Sequence, residues 1–196
     1  MTKKEVRDTI RSMRREVASE DASYAKDLLA ELFFEIPDDR LEDLKGACVG
    51  LYMPFDGELD VTGLAEELMS RGAYLAFPSV EGDRIVFRKA DIGSKDQFCR
   101  GAYNILEPRS DLMPAEPDII IVPGVAYNDE GIRLGMGGGF YDKYYREHPD
   151  ALYIGVCYAF QVVSDLPFDE DDMACDILIP VDTGYDDDDT EGEDEI

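Results

Sequence analysis

The chain has 196 residues and a mass of 22.0 kDa, with 45 acidic against 19 basic residues and a formal net charge of −26. That length suits one domain able to bury roughly 70% of its unfolded surface, and such acidity excludes a general nucleic-acid binder, which needs a basic footprint. No stretch approaches a membrane-spanning length, and the first twenty residues contain no continuous apolar segment of the signal-peptide kind, so a cytoplasmic chain with no membrane partner is expected.

The chain opens on an amphipathic pattern from residue 3 to about 19. Val6, Ile10, Met13 and Val17 form an apolar stripe, with Lys3, Arg7, Arg11 and Arg14 as a basic stripe beside it. A second helix is predicted from near Ser23, as its N-cap, to Glu35, with Pro37 as its stop. Residues 48–54 read as a strand and 60–71 as a helix ended by Gly72. Strands at 74–80 and 84–89 flank the turn Glu81-Gly82-Asp83, and the proline-containing stretch 91–117 is less regular. The run Ile119-Ile120-Ile121-Val122 lacks alternation, as does a strand buried on both faces. A glycine-rich loop follows, then a helix from Phe140 to about Glu147 and strands at 152–157 and 176–180. Nine acidic residues and no basic one occupy 182–196, which suggests a disordered tail beyond a domain of residues 1–181. Cys48, Cys99, Cys157 and Cys175 show no C-x-x-C spacing and read as buried free thiols of a reducing compartment.

Strands alternating with helices predict an α/β fold with a mostly parallel sheet covered on both faces. Ligands bind such sheets beyond the carboxyl ends of the strands, where Pro54, Pro78 and Pro123 fall. Six of the seventeen glycines lie between Gly124 and Gly139, after a buried strand, before a helix and around Arg133. Bare backbone amides at a helix start attract anions, so phosphate or nucleotide binding is expected there, against the plainer reading of tight surface turns. The pattern is neither a P-loop nor the usual dinucleotide fingerprint.

Two roles are open to Asp142 in the first turn of that helix: a favourable charge at a positive helix end, or a ligand for Mg²⁺ bridging to phosphate. The acidic cluster Asp169-Glu170-Asp171-Asp172 offers a second carboxylate or is solvated surface. The basic stripe is a solvated face or a phosphate clamp, and its concentration in so acidic a chain favours the clamp. Phe140, Tyr141, Tyr144 and Tyr145 cover one side of a helix and are mostly core, with Phe140 and Tyr141 placed to flank a flat heterocycle. Phe55, Glu58 and Asp60 leave another strand end; Asp60 suits a helix cap, a role Glu58 does not share. His148, the only histidine, lies past a helix end and is expected to be exposed, which argues against a His-containing triad and for phosphoryl chemistry.

Taken in order, these segments resemble the 5-formyltetrahydrofolate cyclo-ligase family over residues 3–181. The resemblance rests on K-x-x-x-R at Lys3 and Arg7, Y-x-P-x-x-x-E at Tyr52, Pro54 and Glu58, and R-L-G-x-G-x-G-[YF]-Y-D at Arg133 to Asp142 after V-P-G. G-x-x-Y-x-F-Q follows at Gly155, Tyr158, Phe160 and Gln161, then D-x-x-x-D at Asp172 and Asp176. It implies a three-layer α/β/α fold of the NagB/RpiA/CoA-transferase type. It also implies a monomeric enzyme that uses Mg²⁺ and ATP to convert 5-formyltetrahydrofolate to 5,10-methenyltetrahydrofolate through an N5-iminium phosphate. Carried over, Arg133 and Asp142 are catalytic, and Lys3, Lys4, Arg7, Arg133, Leu134, Gly135, Met136, Gly137, Gly138, Gly139, Phe140 and Tyr141 hold ATP. Phe55, Glu58, Asp60 and Met136 to Phe140 line the folate pocket, and Asp142 and Asp172 hold Mg²⁺. The chain departs from many members at Gly138 (usually Lys), Phe140 (usually Tyr), Asp171 (often His) and in its acidic tail. Other readings are a regulator that binds nucleotide or folate without turnover, a relative acting on another formylated amine, and sugar-phosphate isomerase chemistry on a similar scaffold.

Overall fold

The structure is a computed structural model that describes residues 1–183, so residues 184–196 of the acidic tail lie outside the described residues. Helix α1 (Lys3–Glu16) starts at a capping box: the Thr2 hydroxyl accepts from the Glu5 amide, and the Glu5 carboxylate accepts from the Thr2 amide. It ends before the full stripe is used, because Val17 and Ala18 are extended. Helix α2 (Ser19–Phe34) therefore begins four residues before Ser23. Ala18 takes the N-cap position without a side-chain hydrogen bond, while Glu20 and Asp21 supply favourable charge in the first turn.

Strand β1 (Cys48–Gly50) is shorter than 48–54, since the chain leaves the sheet after Gly50 to build a loop. Helix α3 (Thr62–Ser70) is followed by Gly72 at φ +87°, the left-handed stop expected of it. Strands β2 (Tyr74–Glu81) and β3 (Arg84–Lys89) pair as an antiparallel hairpin. The irregular stretch holds a small hairpin of β4 (Phe98–Arg100) and β5 (Leu106–Pro108). After β6 (Ile119–Pro123), the glycine-rich loop contains another, β7 (Ala126–Tyr127) with β8 (Arg133–Leu134), whose two-residue strands are too short to show a period. Helix α4 (Phe140–Glu147) and strands β9 (Leu152–Tyr158) and β10 (Ile177–Val181) complete the order.

Six strands form the main sheet in the order β10-β9-β6-β1-β2-β3, parallel throughout except for β2 with β3. Alternate side chains serve opposite cores. Val49, Phe77, Ile119, Ile121, Ile154 and Ile179 pack with Leu29, Phe33, Leu64 and Leu68 of α2 and α3. Cys48, Ala76, Ile120, Val122, Tyr153 and Cys157 pack with Tyr144 of α4 and Tyr127 of the second hairpin. The result is the expected α/β/α layering. Cys48, Cys157 and Cys175 are buried free thiols, whereas Cys99, on the β4–β5 hairpin away from the sheet, is exposed.

From β1 the chain moves to β2 on one side of the sheet, and later returns as β6 on the other. The carboxyl ends of β1 and β6 therefore flank the topological switch point, where diverging loops leave a crevice. Gln161 holds one of these loops in place. Its side chain is buried, donates from Nε2 to the carbonyls of Gly124 (3.0 Å) and Val125 (2.8 Å), and accepts at Oε1 from the Tyr158 amide (3.1 Å). Gln161→Met removes these partners together and should cost about 2–4 kcal/mol in equilibrium urea unfolding; a change within about 0.5 kcal/mol would show that the loop does not need this anchor.

Candidate active site

A cleft of about 850 Å³ opens at the switch point. One wall is α1, which contributes Lys3, Arg7 and Arg11; another is the loop after β1, with Tyr52, Phe55 and Glu58. The floor is the segment from Gly135 to Asp142, and Asp171 and Asp172 close one end.

The floor is built from backbone. Gly139 is the N-cap of α4 in the left-handed region, φ +66°, and makes no side-chain cap bond, so the first amides of α4 have no cap of their own. A Cβ on Gly135 would lie 2.7 Å from the Arg133 guanidinium, so any larger residue there would have to displace that group from its present position. Arg133 is buried, donates from Nε to the Pro123 carbonyl (2.6 Å), places its guanidinium over the Tyr141 ring at 5.0 Å, and sets Nη1 3.7 Å from Asp142 Oδ1. Across the floor, Arg7 donates from Nε to the Gly135 carbonyl at 2.8 Å.

The acidic end is tied to the same floor. Asp142 Oδ1 accepts from the Met173 amide at 3.2 Å, and Lys3 Nζ lies 2.5 Å from Asp172 and 2.6 Å from Asp169. Among the described residues no group of three or more His, Cys, Asp or Glu is placed to hold a metal ion. Asp142 and Asp172 nevertheless border one cleft, and two carboxylates are the donor set that a hard cation uses when substrate phosphates complete its shell. The donor chemistry thus fits Mg²⁺.

Of the residues expected at the site, Lys3, Arg7, Phe55, Glu58, Arg133, Gly135, Met136, Gly137, Gly138, Gly139, Phe140, Tyr141, Asp142 and Asp172 border this cleft. Three do not. Lys4 is 85% exposed on another side of α1 and pairs with Asp8 one turn on. Leu134 is buried with Val6 and Ile10, where it docks α1 onto the second hairpin. Asp60 accepts the Thr62 amide at 2.8 Å in a turn just ahead of α3, whose N-cap is Val61 and not, as expected, Asp60. His148 is not freely exposed: its ring stacks on Tyr144 at 3.9 Å and Nδ1 lies 3.0 Å from the Tyr144 carbonyl, because the chain folds back over the last turn of α4. Sequence patterning missed Tyr103 and Glu107 of the β4–β5 hairpin. Tyr103 sits at φ +58°, 6.3 Å from the Phe140 ring, and Glu107 is a buried carboxylate that accepts the Val80 amide. Neither lies in a periodic segment that would have marked it.

Glu58 is the unusual acid. Its side chain is only 6% exposed and accepts one hydrogen bond, from the Phe55 amide at 3.3 Å. Burial pushes its carboxyl up to about 7, against the opposing pull of Arg14 and the Phe55 amide. The folded state therefore binds a proton more tightly than the unfolded chain, so this group loses stability as pH rises from its ordinary value near 4.5 to about 7. Glu58→Gln should match wild type near pH 4 and gain on it up to neutrality, reaching on the order of 2–3 kcal/mol in denaturant unfolding above pH 7. A pH-independent difference would show that Glu58 ionises normally in the folded protein.

Comparison with known proteins identifies the family. The chain matches the 5-formyltetrahydrofolate cyclo-ligase family over residues 1–180. It is 31% identical over 134 residues to 5-formyltetrahydrofolate cyclo-ligase of Escherichia coli (strain K12), covering 64% of this chain and 72% of that one. Over 204 residues it is 26% identical to the mitochondrial 5-formyltetrahydrofolate cyclo-ligase of Arabidopsis thaliana, covering 90% and 73%. The solved structure of Aquifex aeolicus 5,10-methenyltetrahydrofolate synthetase superposes with a TM-score of 0.75 at 32% identity, over 93% of this chain and 90% of that one. With the match running through nearly all the described residues and the cleft assembled from the segments that carry the family pattern, the chain belongs to the 5-formyltetrahydrofolate cyclo-ligase family.

Proposed function

We propose that this cleft uses ATP to close 5-formyltetrahydrofolate into 5,10-methenyltetrahydrofolate, with release of ADP and phosphate. The observation that carries the proposal is the pairing of two unlike subsites in one cleft. Lys3, Arg7, Arg133 and the amides of Gly135 to Tyr141 make an anion-holding side, and the buried acceptor Glu58, with Phe55 beside it, makes a side suited to a flat ring rich in N–H donors. Names borne by the relatives support the same substrate.

In the proposed course the formyl oxygen on N5 attacks the γ-phosphorus, and the bond to the β–γ bridging oxygen breaks to release ADP. The N5-iminium phosphate so formed is captured at carbon by the N10 lone pair. N10 gives up its proton, and phosphate departs with the C–O electrons. Arg133 and Arg7 hold the phosphoryl oxygens in line; no lysine stands at Gly138, so these two arginines carry the charge. Met136 to Phe140 separate the two subsites. Asp142 and Asp172 would hold Mg²⁺, which supplies charge neutralisation to the phosphates. Lys3, now paired with Asp172 and Asp169, would exchange carboxylate for phosphate contacts. Lys4, Leu134 and Asp60 have supporting rather than contacting roles. A monomer in the cytoplasm is part of the proposal.

Incubating the protein with Mg²⁺, ATP and 5-formyltetrahydrofolate should give the absorbance of a methenyl bridge with one ADP per product. Binding of both substrates without that absorbance would mark a non-catalytic binder. Asp142→Asn should keep folate binding while turnover drops at least about 100-fold, since neutralising the γ-phosphate is worth several kcal/mol. Near-normal turnover at saturating Mg²⁺ would remove Asp142 from the mechanism.

A further inference from the structure

One buried charge has no part in that chemistry. Arg14 of α1 has a fully buried side chain, and none of its guanidinium nitrogens has a hydrogen-bond partner among the described residues. Its nearest anions are Glu58, with Oε1 3.9 Å from Nη1, and Asp56, with Oδ2 3.9 Å from Nη2. Burying a guanidinium that makes no hydrogen bond and has only long ion pairs is expensive, and a methionine or leucine would fill the space at lower cost. The expense points to a use.

Asp56 is already satisfied. Arg11 Nε donates to it at 2.7 Å, and Arg15 donates from Nε at 3.1 Å and from Nη2 at 2.9 Å. Glu58 has only the Phe55 amide. The loop that carries both acids cannot shift away from Arg14. Gly57, at φ +74°, lies so close to α1 that a Cβ there would be 2.9 Å from the Arg14 carbonyl, and the Tyr52 hydroxyl pins the far end through Leu59 O at 2.6 Å. Arg14 does not border the cleft, whereas Glu58 does. The guanidinium therefore acts on the ligand only through the carboxylate.

We propose that Arg14 is a positioning residue for the folate: from behind the cleft wall it favours the carboxylate form of Glu58 and aims it, so that both carboxylate oxygens can accept the N–H donors of the substrate ring. This rests on the placement of that ring at Glu58 made above. A protonated Glu58 would lose an acceptor and present a competing donor. The other groups facing Glu58 do not replace Arg14. Asp56 opposes its ionisation, Tyr52 and Tyr141 are hydroxyls held neutral by burial, and Arg133 is committed to Pro123 and the phosphate side.

The test compares wild type with Arg14→Met in two ways. In ligand-free protein, carbon-13 NMR of the Glu58 carboxyl should show its titration moved up by more than about one pH unit in the variant. In steady-state assays the KM for 5-formyltetrahydrofolate should rise roughly fivefold or more at pH 7, converge to within about twofold of wild type above pH 9, and leave the KM for ATP unchanged. Arg14→Gln carries the same expectation if the Met variant does not fold. An unmoved Glu58 titration, or a KM loss equal at every pH, would overturn the proposal and leave Arg14 a packing residue. Failure of wild type to close the ring would instead refute the proposed substrate, and the NMR arm would still decide what Arg14 does to Glu58.

Discussion

Everything in the cleft depends on α1 being clasped to two loops at once. Arg7 holds the glycine-rich floor through the Gly135 carbonyl, while Arg11 and Arg15, one and two turns on, grip Asp56 on the loop after β1. Those loops leave opposite sides of the switch point and would diverge without a bridge. Val6 and Ile10 seat the helix on Val125, Ala126 and Leu134, so its basic face is turned inward by the burial of its apolar one. Helix α1 is thus both a wall of the site and the strut that sets the distance between its halves.

The charge balance of the chain gives that strut its significance. A protein of net charge −26 repels polyphosphate in general, so any affinity must come from local concentration of cations and amides. Lys3, Arg7 and Arg133 converge where α4 begins, and the acids nearest them are engaged: Asp172 by Lys3, and Asp142 by the Met173 amide and the approach of Arg133. The ligand-free site is in this sense internally neutralised. An incoming anion with its cation replaces contacts that already exist and does not meet bare charge, which lowers the cost of keeping an acidic cleft ready.

Much of this was legible in the residues. The unalternating Ile119–Val122 run and the glycine cluster located the central strand and the floor, and the order of motifs located the two walls. What escaped notice shares a physical cause. Ala18 capped α2 in preference to Ser23 because two extended residues, not a side-chain cap, separate α1 from α2. Tyr103 and Glu107 lie in a hairpin held by turn geometry, where no periodic burial marks a face. The basic stripe was visible as one surface, yet tertiary packing divides it. Lys3, Arg7 and Arg11 reach the cleft, Arg11 also clasping Asp56 on the loop after β1, while Arg14 is buried; helical spacing alone cannot say which loop a side chain will meet.

The most direct measurement is a crystal structure of the protein with Mg²⁺ and a non-hydrolysable ATP analogue. The triphosphate should lie along the amides of residues 135–141, within reach of Arg7 and Arg133, with the cation between it and Asp142. A nucleotide bound elsewhere, or a glycine floor left empty at saturating ligand, would contradict the assignment of this cleft.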